Sequence, residues 1–387
     1  MNFQVINIVN KLRRCVLEKS HWGIGGSIKR KIVVDSDARA RFLAACRGKD
    51  LEVQTFVNEF GDDSEVELAT DLTIIGDVDA RKLLIITSGV HGAELMCGSG
   101  CQVGMIEESR FSSLPDDTAV ILLHALNPWG AANLRRNNED NIDLCRNFLE
   151  FTQALPRNEH YEAIHELLLC PDYEGKERDD VNNRLAQFKA EKGMGVLIGA
   201  IMSGQFEHAD GISFGGQQAC WSNRTLMSIL GQYANKAAKV CLLDYHSGLG
   251  PYAYGSLVCM QSGRDLQRAR DWFGHWLTAP MEDVSATGDK FQPYSGHTTE
   301  GHIRALPQAE LTSVVLEYGT YDMGDNLQAL LDDHWLTLHG DLNSPIGQKI
   351  KQAMLATHYP NDPEWRASIW TRSEQVIRQV LKGLQHD

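Results

Sequence analysis

Three apolar stretches of the sequence end on residues that can hold a metal ion or move a proton. The first runs into Ser88-Gly89-Val90-His91-Gly92-Ala93-Glu94. A His and a Glu three residues apart, at a strand-to-helix turn, can aim an imidazole nitrogen and a carboxylate oxygen at one point, and both donors suit zinc. Gly89 and Gly92 let the backbone turn tightly beside such an ion. The second stretch ends in Asp244-Tyr245-His246-Ser247-Gly248. Asp244 and His246 are two apart and share one face of a strand, and a carboxylate beside a ligating His commonly fixes the ring tautomer. The third ends in Leu316-Glu317-Tyr318-Gly319. A Glu closing an apolar strand is poorly solvated, which raises its proton affinity and equips it as a base near neutral pH. Each feature also has a bland reading: a chance H-x-x-E, a satisfied His at a sheet edge, a Glu paired with a nearby cation. Two His and one Glu leave a fourth zinc position open, the pattern of catalytic sites.

A polar segment supplies cations and amides. It runs from Asn127-Pro128-Trp129-Gly130 to Arg135-Arg136-Asn137-Asn138-Glu139-Asp140-Asn141-Ile142-Asp143-Leu144-Cys145-Arg146-Asn147-Phe148. Arg is suited to gripping a substrate carboxylate at two points; ordinary surface-loop charge is the alternative.

The elements that must position these residues are short and apolar. Residues 83–87, 119–124, 240–244, 256–260 and 313–316 read as strands buried on both faces, hence as a mainly parallel sheet. Helical patterns at 36–47, 98–108, 159–169, 182–202, 222–236, 263–276, 325–339 and 363–384 alternate with them, which predicts an α/β fold. The three chemical features would then share the carboxyl ends of the strands, where open α/β sheets gather their ligands. The 150–235 stretch is too long for a loop and reads as a helical insertion or lid.

The order of these motifs resembles the zinc carboxypeptidases, whose relatives include the succinylglutamate desuccinylase and aspartoacylase group. H-x-x-E is followed by N-P-x-G, by Arg and D-L-x-R-N-F, by a strand ending in His and by a strand ending in Glu. The phrases SGVHGAEL, HALNPWG, RRNNEDNIDL, GQFEHADGISFGG, DYHSGLGPY and LEYGT are similar to an uncharacterised bacterial branch of that superfamily. The likeness runs from about residue 36 to near the C-terminus. It implies a single large three-layer domain over 36–387, with a mixed, mainly parallel central sheet flanked by helices, after an N-terminal extension over 1–35. The resemblance also implies the roles: His91, Glu94 and His246 as ligands of one zinc per chain, and Glu317 as the base that activates water. Arg136, or Arg135, would polarise the scissile carbonyl, Arg146 would bind a substrate carboxylate, Asp143 would orient His91, and Tyr294 falls where carboxypeptidases carry a mobile Tyr. Cys145 falls at a substrate-binding position of the resembled pattern but departs from it, since D-L-N-R is usual and Cys is a poor partner for a carboxylate; the alternative reading is a thiol near the metal. The implied activity is hydrolysis of a peptide or an N-acyl amino acid.

The chain of 387 residues carries a formal charge of −14, which disfavours nucleic acid. No apolar run is long enough to span a membrane. At the N-terminus Asn interrupts the apolar run and charges follow it, the reverse of a signal peptide. Nine scattered Cys without a C-x-x-C pair imply reduced, mostly buried thiols and a cytoplasmic protein, with Cys97 and Cys101 as small core residues. Gly23-Ile24-Gly25-Gly26 reads as a turn and Lys29-Arg30-Lys31 as a solvated strand approach. Two rival readings are a serine hydrolase, from Gly211-Ile212-Ser213-Phe214-Gly215, whose flanks lack the strand and helix that such an elbow needs, and a zinc-binding scaffold that has lost catalysis.

Overall fold

The computed structural model of the chain describes residues 34–60, 67–282 and 294–386. The described residues form a sheet of seven strands: β1 (Val53–Val57), β2 (Ala69–Ile75), β3 (Lys82–Ser88), β4 (Thr118–His124), β5 (Lys239–Gly248), β6 (Gly255–Val258) and β7 (Glu310–Gly319). Their order across it is β1-β2-β4-β3-β5-β7-β6. The inner four, β4-β3-β5-β7, run parallel, while β1, β2 and β6 add antiparallel edges. The sheet is therefore mixed, parallel in the part that carries the chemical residues.

The strands expected at 83–87, 119–124, 240–244, 256–260 and 313–316 are present, and β5 and β7 extend further than their apolar runs. β1 and β2 were not legible. β1 is an edge strand with exposed positions, and β2 buries Thr70, Asp71 and Thr73 among its apolar residues. Asp71 is satisfied by Arg39 Nε at 2.7 Å and Thr55 Oγ1 at 2.7 Å, which permits a carboxylate where the pattern asks for an apolar residue.

Helices cover both faces. One face packs Leu84, Ile86, Leu243, Leu316 and Tyr318 against Val34–Arg47, Leu95–Glu107, Gly263–Phe273 and Pro363–Gln385. The other packs Leu83, Ile85, Val240 and Leu242 against Trp221–Tyr233 and the 142–148 segment. The expected helix over 182–202 is two, Lys176–Lys192 and Met194–Met202, separated by Gly193 at φ +94°, a conformation that costs a non-glycine residue. The 159–169 helix is likewise two single turns, Glu159–Glu162 and His165–Leu168. Thr298–Ala305 and Pro345–His358 are helices without a predicted counterpart. No described helix is long and apolar enough to cross a membrane. The expected N-terminal extension, with Gly23–Gly26 and Lys29–Lys31, lies outside the described residues except at its last two positions.

Candidate functional site

The site is built at the carboxyl ends of β3, β5 and β7. After Ser88 the chain turns through Gly89 at φ +70° into a one-turn 3-10 helix, Gly92–Glu94. A side chain at Gly92 would stand 2.0 Å from the Gly130 carbonyl carbon, so glycine there is a steric requirement. The turn is fastened to the polar segment by Ala93 N–H on Arg135 O (2.9 Å) and Gly92 N–H on Arg136 O (3.4 Å). These contacts bring the H-x-x-E turn against the segment that carries Arg136, Asp143 and Cys145.

His91, Glu94 and His246 meet at one point. His91 Nδ1 is 2.8 Å from Glu94 Oε1, His246 Nδ1 is 2.9 Å from Glu94 Oε2, and the two Nδ1 atoms are 3.1 Å apart. All three residues are buried. Each imidazole is held from behind by a carboxylate: His91 Nε2 by Asp143 Oδ1 at 3.1 Å, His246 Nε2 by Asp244 Oδ2 at 2.8 Å. Asp244 is anchored by the Thr87 hydroxyl at 2.6 Å. Ser247 N–H also donates to Glu94 at 3.1 Å.

This donor set fits a divalent cation. Nδ1 atoms 3.1 Å apart can share only one proton between them, so the arrangement is awkward for imidazoles alone. Donors bound tetrahedrally at about 2.0–2.2 Å lie about 3.3–3.6 Å apart, close to the triangle observed. The carboxylates behind the rings fix their tautomers as metal-binding His requires. The electrostatics agree. Burial and Arg136 disfavour a charged His91, yet Glu94, Cys145 and Asp143 carry its pKa up to about 10. Burial likewise opposes a charged His246, while Asp244 and Glu94 hold its pKa well above the usual value. A pocket that draws protons onto buried imidazoles is one that a cation can occupy in their place.

Glu317 stands beside this triangle. Its Oε1 accepts from Leu249 N–H at 3.0 Å. Burial and the Glu94 carboxylate push its pKa up to about 7, against the pull of His246, Leu249 N–H and His91. Arg136 Nη1 donates to Glu94 at 3.3 Å and its Nε to Asp143 at 3.0 Å. Arg135 turns the other way, with Nε on Asp333 (3.3 Å) and Nη2 on Asn141 (3.1 Å). Asp333 also holds Lys351 Nζ at 2.5 Å. Of the two adjacent Arg, the geometry brings Arg136 to the site.

Arg146 is buried and donates to the backbone: Nε to Met202 O at 3.0 Å, Nη2 to the same oxygen, and Nη1 to Cys145 O at 2.7 Å. Its guanidinium carbon lies 4.6 Å from the centre of the Tyr294 ring. Cys145 is buried, and its Sγ and one ring nitrogen from each of His91 and His246 lie within 4.8 Å of one another. Burial pushes its thiol up, but His91 and His246 draw it down to about 7. Ser213 is buried at φ +52°, and its hydroxyl has no hydrogen-bond partner among the described residues. It lies in irregular backbone with neither strand before it nor helix after it. Cys97 and Cys101 sit in the apolar core.

Two further His stand near the site without having been singled out. His297 caps the helix Thr298–Ala305, accepting from Thr299 N–H at 3.2 Å. Burial and Arg146 drive its pKa down to about 3. His358 gives Nδ1 to Met354 O at 2.8 Å and accepts Ser247 Oγ on its carbonyl at 2.7 Å. His297 precedes T-T-E, a readable capping pattern; His358 closes a helix with no local signal of proximity to the site.

Residues 36–372 match the profile of a family described as protein of unknown function (DUF2817). No curated protein matches in sequence. The fold is similar to carboxypeptidase A from Helicoverpa armigera, at TM-score 0.44 and 14% identity over 91% of this chain and 81% of that one. It is similar to thrombin activatable fibrinolysis inhibitor, at TM-score 0.46 and 10% identity over 94% and 82%. A protein from Shewanella amazonensis SB2B assigned to the succinylglutamate desuccinylase/aspartoacylase family gives TM-score 0.33 and 15% identity over 73% and 72%.

Proposed function

The chain belongs to the DUF2817 family, and we propose that it is a metal-dependent hydrolase that cleaves a peptide or amide bond. The observation that carries this reading is the triangle of His91, Glu94 and His246 donors with the Glu317 carboxylate beside it. One zinc per chain is the ion proposed. When bound, it would polarise the scissile carbonyl and lower the pKa of water to about 7.

The chain's own residues supply the rest. Glu317 takes the proton of the attacking water and returns it to the leaving nitrogen; a pKa of about 7 before metal binding suits a group that must do both. Arg136, reached through Glu94 and Asp143, offers positive charge where the carbonyl oxygen becomes negative. Asp143 and Asp244 hold the two imidazoles in register. Arg146 and Tyr294 stand at the proposed substrate side. There Arg146 can meet a substrate carboxylate only in competition with Met202 O and Cys145 O. Short peptides and N-acyl amino acids are the substrate classes proposed. A reducing, cytoplasmic setting belongs to the same reading, since the eight described Cys are all buried and unpaired.

The test is a panel of short peptides, N-acyl amino acids and cell-wall peptides, offered to zinc-loaded protein with and without a chelator. The expected result is hydrolysis that the chelator abolishes and zinc restores. Activity that survives chelation but is lost to a serine-directed reagent would replace this reading with a Ser213 hydrolase. A zinc-loaded protein inert across the panel would replace it with a binding scaffold.

A further inference from the structure

The polar segment brings a sulfur to the two imidazoles of the metal triangle. Asp143 caps the one-turn 3-10 helix Leu144–Arg146, its Oδ1 accepting from Cys145 N–H at 3.0 Å. The same oxygen holds His91 Nε2 at 3.1 Å. A single carboxylate thus positions both the first imidazole and the backbone of Cys145. The sulfur lies with one nitrogen of each ring inside a 4.8 Å cluster. Cys145 is only 2% exposed, so water reaches this sulfur poorly. Thiolate is a strong zinc donor, and a set of two His, one carboxylate and one Cys completes a tetrahedron.

We propose that Cys145 Sγ is a fourth protein ligand of the ion held by His91, Glu94 and His246, closing the centre while no substrate is bound. The proposal rests on the metal-site reading above and deepens it. As the ion enters, the S–H proton leaves to solvent and a sulfur–metal bond forms, with no change of oxidation state. Four protein ligands make a closed centre, whereas catalysis needs an open position. Substrate must therefore displace the thiolate, and the resting enzyme is latent until it does. Asn, usual at this position in the resembled family, would leave that position open.

The experiment is X-ray absorption on the zinc-loaded, full-length protein, paired with optical spectra of its cobalt(II) form. The expected result is one sulfur at about 2.3 Å beside nitrogen and oxygen at about 2.0–2.2 Å, with a near-ultraviolet thiolate-to-cobalt band. Both signals should vanish in Cys145→Ser and Cys145→Asn while zinc content per chain is unchanged. Zinc bound by nitrogen and oxygen alone in the unmodified protein would overturn the proposal and leave the metal site standing. A sulfur signal that survives both substitutions would assign the ligand to another Cys and overturn it as well. Failure of the unmodified protein to take up zinc would overturn the metal reading itself, and this proposal with it. The unmodified protein decides the first of these outcomes, so the question stays answerable if the variants fail to fold.

Discussion

His246 and Glu317 are paired positions on adjacent parallel strands, β5 and β7. Side chains at one register on neighbouring strands leave the same face of a sheet. Asp244 and Val315 are likewise paired, two residues earlier. The pleat therefore stacks the carboxylate that steadies His246 below it and sets the candidate base beside it. The base is held on an inner strand, paired on both sides within the sheet.

Glu317→Gln keeps the shape and polarity of the side chain and removes its capacity to take a proton. The variant is expected to fold, to bind zinc with unchanged stoichiometry and to lose about 10²–10⁴-fold in turnover. Zinc content and steady-state rates, measured on the same preparation, check this. Loss of zinc would make Glu317 a ligand or anchor; normal turnover would place the base elsewhere.

Metal-free protein should lose stability as pH rises. A His whose folded pKa exceeds its unfolded value stabilises the fold fully below the unfolded value and loses that contribution as pH climbs through the folded one. For His91 the window runs from 6.5 to about 10, and His246 acts in the same direction. Glu317, raised to about 7, adds to the loss earlier in the same climb, because the folded state holds its proton longer than the unfolded chain. Thermal melts of chelated protein should fall across this range. Zinc should flatten the profile, and at 100-fold excess over Kd should add about 2.7 kcal/mol. Calorimetry in buffers of different ionisation enthalpy should detect proton release on zinc uptake. A chelated protein whose melting temperature is independent of pH from 6.5 to 10 would contradict the electrostatic account of the pocket.

Arg146→Ala removes a buried guanidinium that ties Met202 O and Cys145 O together. A hydrogen bond to a charged group contributes about 1.5–3 kcal/mol, and the two carbonyls would be left unpaired. The variant is expected to lose about 2–4 kcal/mol of stability by denaturant titration, and to weaken free-carboxylate and amidated substrates alike. A loss confined to the free-carboxylate series would put the guanidinium on the substrate instead.

Asp333→Ala tests the network that turns Arg135 away from the site. Asp333 holds both Arg135 and Lys351, all three buried. Removing the one carboxylate strands two buried cations, which costs about 3–5 kcal/mol. The melting temperature should drop markedly. A change within error would show that water enters and solvates the pair.

Much of this site can be read along the chain because its parts are local. His91 and Glu94 lie in one turn, Asp244 and His246 on one strand face, and Glu317 at the end of an apolar run. Strand ends gather once the inner strands pair in parallel, so residue type and position mark these residues as candidates; their roles came from the order of the motifs and its resemblance to the zinc carboxypeptidases. Which neighbouring Arg faces the centre was not local. The partner that captures Arg135 is Asp333, 198 residues away, and no pattern around residue 135 records it. The same holds for Arg146, whose guanidinium is taken by a carbonyl 56 residues on, and for Cys145, whose sulfur comes within 4.8 Å of a ring nitrogen of His246, on a strand far along the chain. β2 was missed because its Asp71 is neutralised by Arg39 from a separate helix. Residue types and local periodicity set the strands and the donors they carry. Long-range pairing of charged groups, whose burial is tolerable only with a partner in place, decided where the remaining side chains point.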